Sequence, residues 1–436
     1  MDWENYVVKL NVKSKVVDFN HPLNIYETQN TSGTGFFISN NEILTCFHVI
    51  SGAININILF KQTNTFNGKI KYIFPDDDLA IIKLDNDVLD AKILTQQVIS
   101  SRLSGDVFTV GFPLSSTNIK ITKGIISGYQ ESLIQTDAAL NHGNSGGPLV
   151  IFDESDNTYK VIGVNVSKLK GDSEKTGFVV PIYRYNILKQ KLENKIVINK
   201  PCLFFDFQKL VQDKLRINLF KNKIGEINPK HGVRITSTSS KYYHAQYIKL
   251  NNIILSVNDS PVDYNGYVKF DFYPEKIPLD DIGLWFVEND IITFKIFNPD
   301  TLTINDVSFT LKITNSNLLS YYYLESEPNY FVENNGLILS VLTEKHLENL
   351  KSLNLSISKL VKILERRLYH RDLFTVYLAD INYTKIQNSQ EPITWPIGEI
   401  IVEINDMTFN SFEEFIKITK SKIIKIKTNE NEVFYI

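Results

Sequence analysis

Residues 143–149 read Gly143-Asn144-Ser145-Gly146-Gly147-Pro148-Leu149. A serine set between glycines calls for a tight turn, because glycine reaches the required dihedrals without penalty and lets another chain approach closely. Such a turn is expected to expose Ser145 Oγ and to leave the N–H groups of Gly143 and Ser145 facing a developing oxyanion. Alone, Gly-x-Ser-x-Gly is equally compatible with a glycine-rich surface loop. Its weight comes from what precedes it.

Upstream stand His48 and Asp78. His48 closes the apolar run Ile43-Leu44-Thr45-Cys46-Phe47, and Asn40-Asn41 before that run reads as a hairpin turn. Asp78 ends the acidic tip Asp76-Asp77-Asp78 and enters the apolar strand Leu79-Ala80-Ile81-Ile82. By itself an acidic tip reads as a solvated turn, and a single histidine beside an apolar run as a structural residue. Together the three residues match a chemical need. A serine hydroxyl is a weak nucleophile until a base takes its proton, and that base works best when a third group orients it. The order His, Asp, Ser is one of three known chain orders for this geometry.

The ordered landmarks resemble the HtrA/Deg family of trypsin-like serine proteases. They are Ser32-Gly33-Thr34-Gly35-Phe36, Thr45-Cys46-Phe47-His48-Val49, Asp78-Leu79-Ala80-Ile81-Ile82-Lys83, Gly105-Asp106-Val107, Gly111-Phe112-Pro113, Thr122-Lys123-Gly124-Ile125-Ile126-Ser127, Gln135-Thr136-Asp137-Ala138-Ala139, Val161-Ile162-Gly163-Val164-Asn165 and Gly177-Phe178-Val179-Val180-Pro181. The resemblance implies a His48–Asp78–Ser145 triad with an oxyanion hole at Gly143 and Ser145. It leaves Asp76 and Asp77 as turn residues and His142 as a loop residue near the cleft. It also implies a primary specificity pocket based six residues before the serine, at Ala139 beside Leu140. Neither carries charge, so cleavage after Val, Ala, Ile or Leu is expected.

Composition agrees with a soluble globular chain. The chain has 436 residues, 43% hydrophobic and 22% charged, with a net charge of −3. That charge gives no sign of a nucleic-acid or membrane partner. Cys46 and Cys202 are too few for a disulfide framework, and Cys46 lies inside a strand pattern, as a small buried thiol does. No metal-spaced Cys/His cluster appears, and the mechanism needs no metal or organic cofactor. The opening Met1-Asp2-Trp3-Glu4-Asn5 has no basic, apolar leader pattern, and no run is long enough to span a membrane; the expectation is a cytoplasmic or otherwise intracellular protein.

Short apolar runs separated by Gly, Pro and Asn turns predict a mainly β fold, with a trypsin-like double β-barrel over 1–197. Residues 198–315 resemble a PDZ domain, through Gly232-Val233-Arg234-Ile235 and Ile253-Ile254-Leu255-Ser256-Val257-Asn258-Asp259-Ser260-Pro261-Val262. The resemblance implies an α+β fold with a peptide-binding strand at Gly232, Val233 and Ile235, preceded by the candidate carboxylate loop Lys230-His231. Asn251-Asn252 replaces the usual Gly-Asp turn. Gly266 to Phe297 resembles the aromatic-rich extension of plant-type Deg proteases. Residues 316–436 read as a second, divergent PDZ-like domain. In it, Gly336–Val341 is the candidate strand, Ile357–Tyr369 has helical apolar spacing, and Ser411 caps a helix to Thr419.

The expected partners are polypeptide substrates and further copies of the chain, since the resemblance implies a homotrimer or hexamer. The apolar N-terminal arm of Trp3, Tyr6, Val7, Val8, Phe19 and Tyr26 suits burial against a neighbour or against its own barrel. Two other classes fit less well. An α/β-hydrolase shares Gly-x-Ser-x-Gly but places its acid and histidine after the serine. A PDZ-based chaperone or scaffold with little proteolytic activity leaves the triad without a purpose.

Overall fold

Alternating apolar residues build the first barrel. In Asn55-Ile56-Asn57-Ile58-Leu59-Phe60, the side chains of Ile56, Ile58 and Phe60 are buried while Asn55, Asn57 and Leu59 are less so, as a half-buried pleated strand requires. The computed structural model describes residues 2–16, 22, 27–97, 103–130, 132–166, 176–192, 195–201, 203, 205–212, 218, 220, 231–238, 243–313, 331–342, 375–382, 385–386 and 395–436. Two compact units divide the chain: Met1–Ser14 with Gln29–Ile313, and Lys15–Thr28 with Thr314–Ile436.

In the first unit, β1 (Val7–Val16), β2 (Glu27–Ser39), β3 (Glu42–Cys46), β4 (Ala53–Phe60), β5 (Asn64–Phe74) and β6 (Leu79–Leu84) close a barrel in the order β1-β2-β3-β6-β5-β4. Asn40-Asn41 forms the β2–β3 turn. A single helical turn, α1 (Phe47–Ile50), follows β3. A second sheet contains β7 (Thr95–Gln96), β8 (Asp106–Gly111), β9 (Lys120–Gln130), β10 (Leu133–Thr136), β11 (Pro148–Asp153), β12 (Thr158–Val166) and β13 (Gly177–Pro181). Its order is β11-β8-β9-β10-β13-β12-β7, and an added β11–β12 pairing closes all of these but β7 into a second ring. Helix α2 (Ile182–Leu188) leads out of β13.

The N-terminal arm is buried by its own chain. Val7 and Val8 are core residues of β1, and Trp3 packs edge-on against Tyr159 with ring centroids 5.1 Å apart. Trp3, Val7 and Val8 therefore offer no apolar surface to a neighbour, which removes the local argument for assembly through them. Phe19 and Tyr26 lie outside the described residues.

Downstream in this unit, β14 (Phe205–Lys209), β15 (Val233–Thr238), β16 (Ile253–Val257), β20 (Ile291–Asn298) and β21 (Thr303–Thr310) form a sheet in that order, with β17 (Ser260–Pro261) beside β16. The hairpin β18 (Tyr267–Lys269) and β19 (Lys276–Pro278) and a 3-10 helix, Leu279–Trp285, cover it with an aromatic-rich core that includes Phe270, Tyr273, Ile282 and Trp285.

Here the sequence expectation needs correction. β15 is an interior strand: β14 pairs along one edge from Val233 to Thr238, and β16 with the Asn251–Asn252 turn holds the other. Gly232 adopts φ +106° and donates its N–H to Val262 O, while Val233 and Ile235 are fully buried. Strand addition needs a free edge, so Gly232, Val233 and Ile235 do not offer a peptide one. Among the described residues the open edges of this sheet belong to β14 and β21.

The second unit holds β22 (Phe331–Asn334), β23 (Leu337–Val341), β24 (Val376–Ile381), β25 (Ile400–Ile404), β27 (Lys425–Thr428) and β28 (Val433–Tyr435) in that order, with β26 (Met407–Thr408) beside β25. The candidate strand Gly336–Val341 becomes β23, also interior. Helix α3 (Phe412–Thr419) starts where expected: Ser411 Oγ accepts the Glu414 N–H at 3.2 Å. Phe415 and Ile418 seat α3 on the core with Phe409 and Ile426. The apolar stripe at Ile357–Tyr369 lies outside the described residues.

Candidate active site

Strand register brings the histidine and the aspartate together. β3 and β6 run antiparallel with Cys46 opposite Leu79. His48 lies two residues past Cys46 and Asp78 one residue before Leu79, so both fall at the same end of the pair. Their contact is tight. His48 Nδ1 lies 2.6 Å from Asp78 Oδ2, the His48 N–H donates to Asp78 Oδ1 at 2.9 Å, and the Phe47 N–H donates to Asp78 O at 3.0 Å. Asp78 itself adopts a left-handed conformation, φ 50° and ψ 38°, which costs most L-residues energy but which aspartate reaches more readily. Burial works against a charged imidazole, but the hydrogen bond and the charge of Asp78 outweigh it, so the His48 pKa stands above its ordinary 6.5. With Nδ1 committed to Asp78, Nε2 is the atom left for proton transfer.

The serine loop runs between β10 and β11 and lies against the first barrel. Thr34 is the hub. Its N–H donates to Ser145 O at 2.9 Å, its hydroxyl donates to Gly143 O at 2.6 Å and accepts from the Phe112 N–H, and its carbonyl accepts from Thr45 Oγ1. Gly146, at φ +84°, is pressed so close that a Cβ there would lie 2.1 Å from Thr45 Oγ1 and 2.9 Å from Cys46 N. The Asn165 carbonyl accepts both the Gly146 N–H at 2.8 Å and the Cys46 thiol at 3.2 Å. One acceptor thus joins the residue after Ser145 to the residue two before His48. This close seating also revises one expectation: Ser145 is only 4% exposed and sits in a notch instead of projecting.

The amides of Gly143 and Ser145 have no acceptor among the described residues. For Gly143 the direction is set by a neighbour. The His142 carbonyl accepts the Leu114 N–H at 2.6 Å. In a trans peptide the N–H of the next residue points opposite to that carbonyl, so the Gly143 N–H is turned away from Leu114. Leu114 and Ser115 both take positive φ, 53° and 58°, to make this contact. His142 itself is an exposed loop residue.

Of the expected pocket residues, Ala139 is exposed, and its carbonyl accepts from Thr122 Oγ1 at 3.0 Å. Leu140 is 2% exposed and belongs to the core of the second sheet. Its side chain lies over Gly177, where a Cβ would come within 2.6 Å of it. Gly177 therefore leaves room for the buried Leu140 side chain, a role its motif did not announce.

Cys46, His48 and Asp78 offer three ligand atoms within 4.8 Å of one another. They suit a metal poorly. Burial, and after it the charge of Asp78, raise the Cys46 thiol well above its ordinary range, so the thiolate a metal requires is disfavoured.

The acidic tip is not the solvated turn expected of Asp76 and Asp77. Asp77 is 2% exposed and pairs with Arg184 of α2, and Lys200 Nζ lies 3.5 Å from its other oxygen. Asp76 accepts the Lys200 N–H at 2.7 Å, and burial pushes its carboxyl up to about 6. The partners lie more than 100 residues away in sequence, beyond the reach of a local reading.

Residues 33–164 match the family of trypsin-like peptidase domains. Over 292 residues the chain is 26% identical to "Putative protease Do-like 3, mitochondrial" of Arabidopsis thaliana, covering 61% of this chain and 48% of that protein. Over 290 residues it is 27% identical to "Probable periplasmic serine endoprotease DegP-like" of Rickettsia conorii, covering 59% and 56%. The chain spans about half the length of these relatives. Among solved structures, "HtrA-type protease AlgW with tripeptide" has a TM-score of 0.52 at 20% identity, over 71% of this chain and 93% of that one, a likeness of fold. The mitochondrial and periplasmic relatives overturn the cytoplasmic expectation. No described helix is long and apolar enough to cross a membrane, but the composition of folded domains carries no address.

Proposed function

We propose that this chain, which belongs to the HtrA/Deg family of trypsin-like serine proteases, is an endopeptidase that cleaves unfolded or misfolded polypeptides through Ser145, His48 and Asp78. Ser145 Oγ adds to the scissile carbonyl carbon as His48 Nε2 takes its proton. The Gly143 and Ser145 N–H groups receive the developing oxyanion, and His48 returns the proton to the departing amine. Water then repeats the sequence on the acyl-enzyme and releases the acid. Asp78 holds the ring by Nδ1 and stabilises the imidazolium throughout. The observation that carries this reading is the 2.6 Å His48–Asp78 contact beside a serine loop whose two amides are unengaged. No step requires a metal or organic cofactor.

The downstream sheets go with this reading as PDZ-like domains, at 198–315 and 316–436, serving assembly, or peptide binding at a place other than the interior strand β15. Assembly would be a homotrimer or hexamer; a molar mass near the 50.1 kDa monomer by light scattering would exclude it. The function itself is tested with a fluorophosphonate probe and a digest of an unfolded protein. Wild type should label at Ser145 and cut after Val, Ala, Ile or Leu, with chelator present or absent. Ser145→Ala should lose about 10⁴-fold or more in kcat. Labelling at another residue sinks the mechanism, and cuts clustered after Lys or Arg sink the pocket argument.

A further inference from the structure

The segment that follows the second sheet of the first unit runs back beside the catalytic acid. Ile196 O accepts the Ile73 N–H at 2.8 Å, and Ile73 O accepts the Ile198 N–H at 2.9 Å, so residues 196–198 lie along β5 just before the Pro75–Asp78 turn. Lys200 follows, 3% exposed. Its backbone N–H donates to Asp76, its ammonium pairs with Asp77, and the same ammonium donates to Leu284 O at 2.5 Å. Leu284 belongs to the 3-10 helix Leu279–Trp285 of the downstream domain. That helix is seated on the second sheet by Ser132 Oγ, which donates to Asp281 at 3.0 Å, and by Trp285, whose ring lies 6.0 Å from that of Tyr183 of α2. Arg184, the residue after Tyr183, completes the cluster through Asp77 and the Asp76 carbonyl.

We infer that Lys200 is a positioning residue: through Asp76 and Asp77 it holds the turn that presents Asp78 to His48, and it makes that turn depend on the seating of the 279–285 helix. The physical case is that Asp78 sits in a left-handed conformation, accessible to aspartate but not its preferred one, at the end of a turn whose two preceding acids are both held by Lys200. The turn is fixed from outside, by a buried cation whose other partner is a carbonyl of the downstream domain. Removing one member of a buried charged cluster leaves the others uncompensated, and the backbone moves to relieve them. A small displacement of the acid rotates the imidazole, and catalysis falls steeply with misplacement.

This inference rests on Asp78 acting as the orienting acid, so the experiment separates the two. Full-length wild type is first labelled at Ser145 by the fluorophosphonate; failure there defeats the function, not the coupling. Lys200→Met is then compared for kcat, KM and the acid limb of kcat/KM, with thermal unfolding run alongside. Expected is a kcat lower by about 10- to 100-fold, a KM near wild type, and an acid limb moved to lower pH as His48 loses its hold on Asp78. A folded Lys200→Met with wild-type kcat and acid limb overturns the inference. Should Lys200→Met not fold, Asp281→Ala reads the same link from the far side: a severalfold fall in kcat supports it, and wild-type kcat and pH profile with a loosened helix overturn it.

Discussion

Two glycine-led segments, Gly143–Gly147 and Gly232–Ile235, look alike in sequence and are used in opposite ways. Both begin with a glycine at positive φ, +97° and +106°. The first lies in a loop between two barrels, with the Gly143 and Ser145 carbonyls tied down by Thr34 and the amides of the same two residues left open. The second enters a strand paired on both edges, with its apolar side chains in the core. A glycine thus marks where the chain must turn sharply. What the turn serves depends on whether the neighbouring hydrogen-bonding groups are already taken.

The sharpest break of that comparison is at the histidine. Burial lowers the His48 pKa, and the Asp78 hydrogen bond and charge outweigh it. With Asp78→Asn only the lowering influence remains and the ring loses its tautomer control. kcat/KM should fall about 10⁴-fold, and the acid limb of the residual activity should move to lower pH. An unchanged limb would mean that Asp78 does not set the ionisation of His48.

The glycines themselves come next. In Gly143→Ala the added Cβ would stand 2.3 Å from Phe112 O, which forces the loop to shift and displaces the proposed oxyanion donor. A loss of about 10²- to 10³-fold in kcat is expected. In Gly232→Ala the contact is 2.8 Å, with a methyl of Ile253. That variant should lose about 1–3 kcal/mol of stability and keep its kcat. Equal catalytic losses at the two sites would erase the distinction drawn between them.

The smallest effect concerns the buried acids. Asp76 is raised by burial from 3.8 to about 6. A carboxyl raised on folding favours the native state below pH 3.8, and that contribution is lost as pH rises through about 6. Asp76→Asn lacks this loss. Its melting temperature relative to wild type should climb between pH 4 and pH 7, by an amount worth at most about 3 kcal/mol. A flat difference across that range would show that Asp76 ionises as freely in the fold as in the unfolded chain.

His48, Asp78 and Ser145 stand out in the sequence as a candidate site because each sits in a local motif: an apolar run ending in histidine, an acid before Leu-Ala, a serine among glycines; the fold brings the first two into contact. The mainly β character was legible from strand-length apolar runs between turn residues, and the start of α3 from Ser411 and its acidic first turn. Local chemistry of this kind is written within a few consecutive residues. Tertiary structure alone decided the rest. Whether β15 is an edge or an interior strand depends on β14, a segment more than 20 residues away, because a strand's free edge belongs to the sheet and not to the strand. The burial of Asp77 depends on Arg184 and Lys200, since a charge leaves water only where distant partners meet it. The direction of the Gly143 amide depends on Leu114, because one hydrogen bond from another loop orients the whole peptide plane.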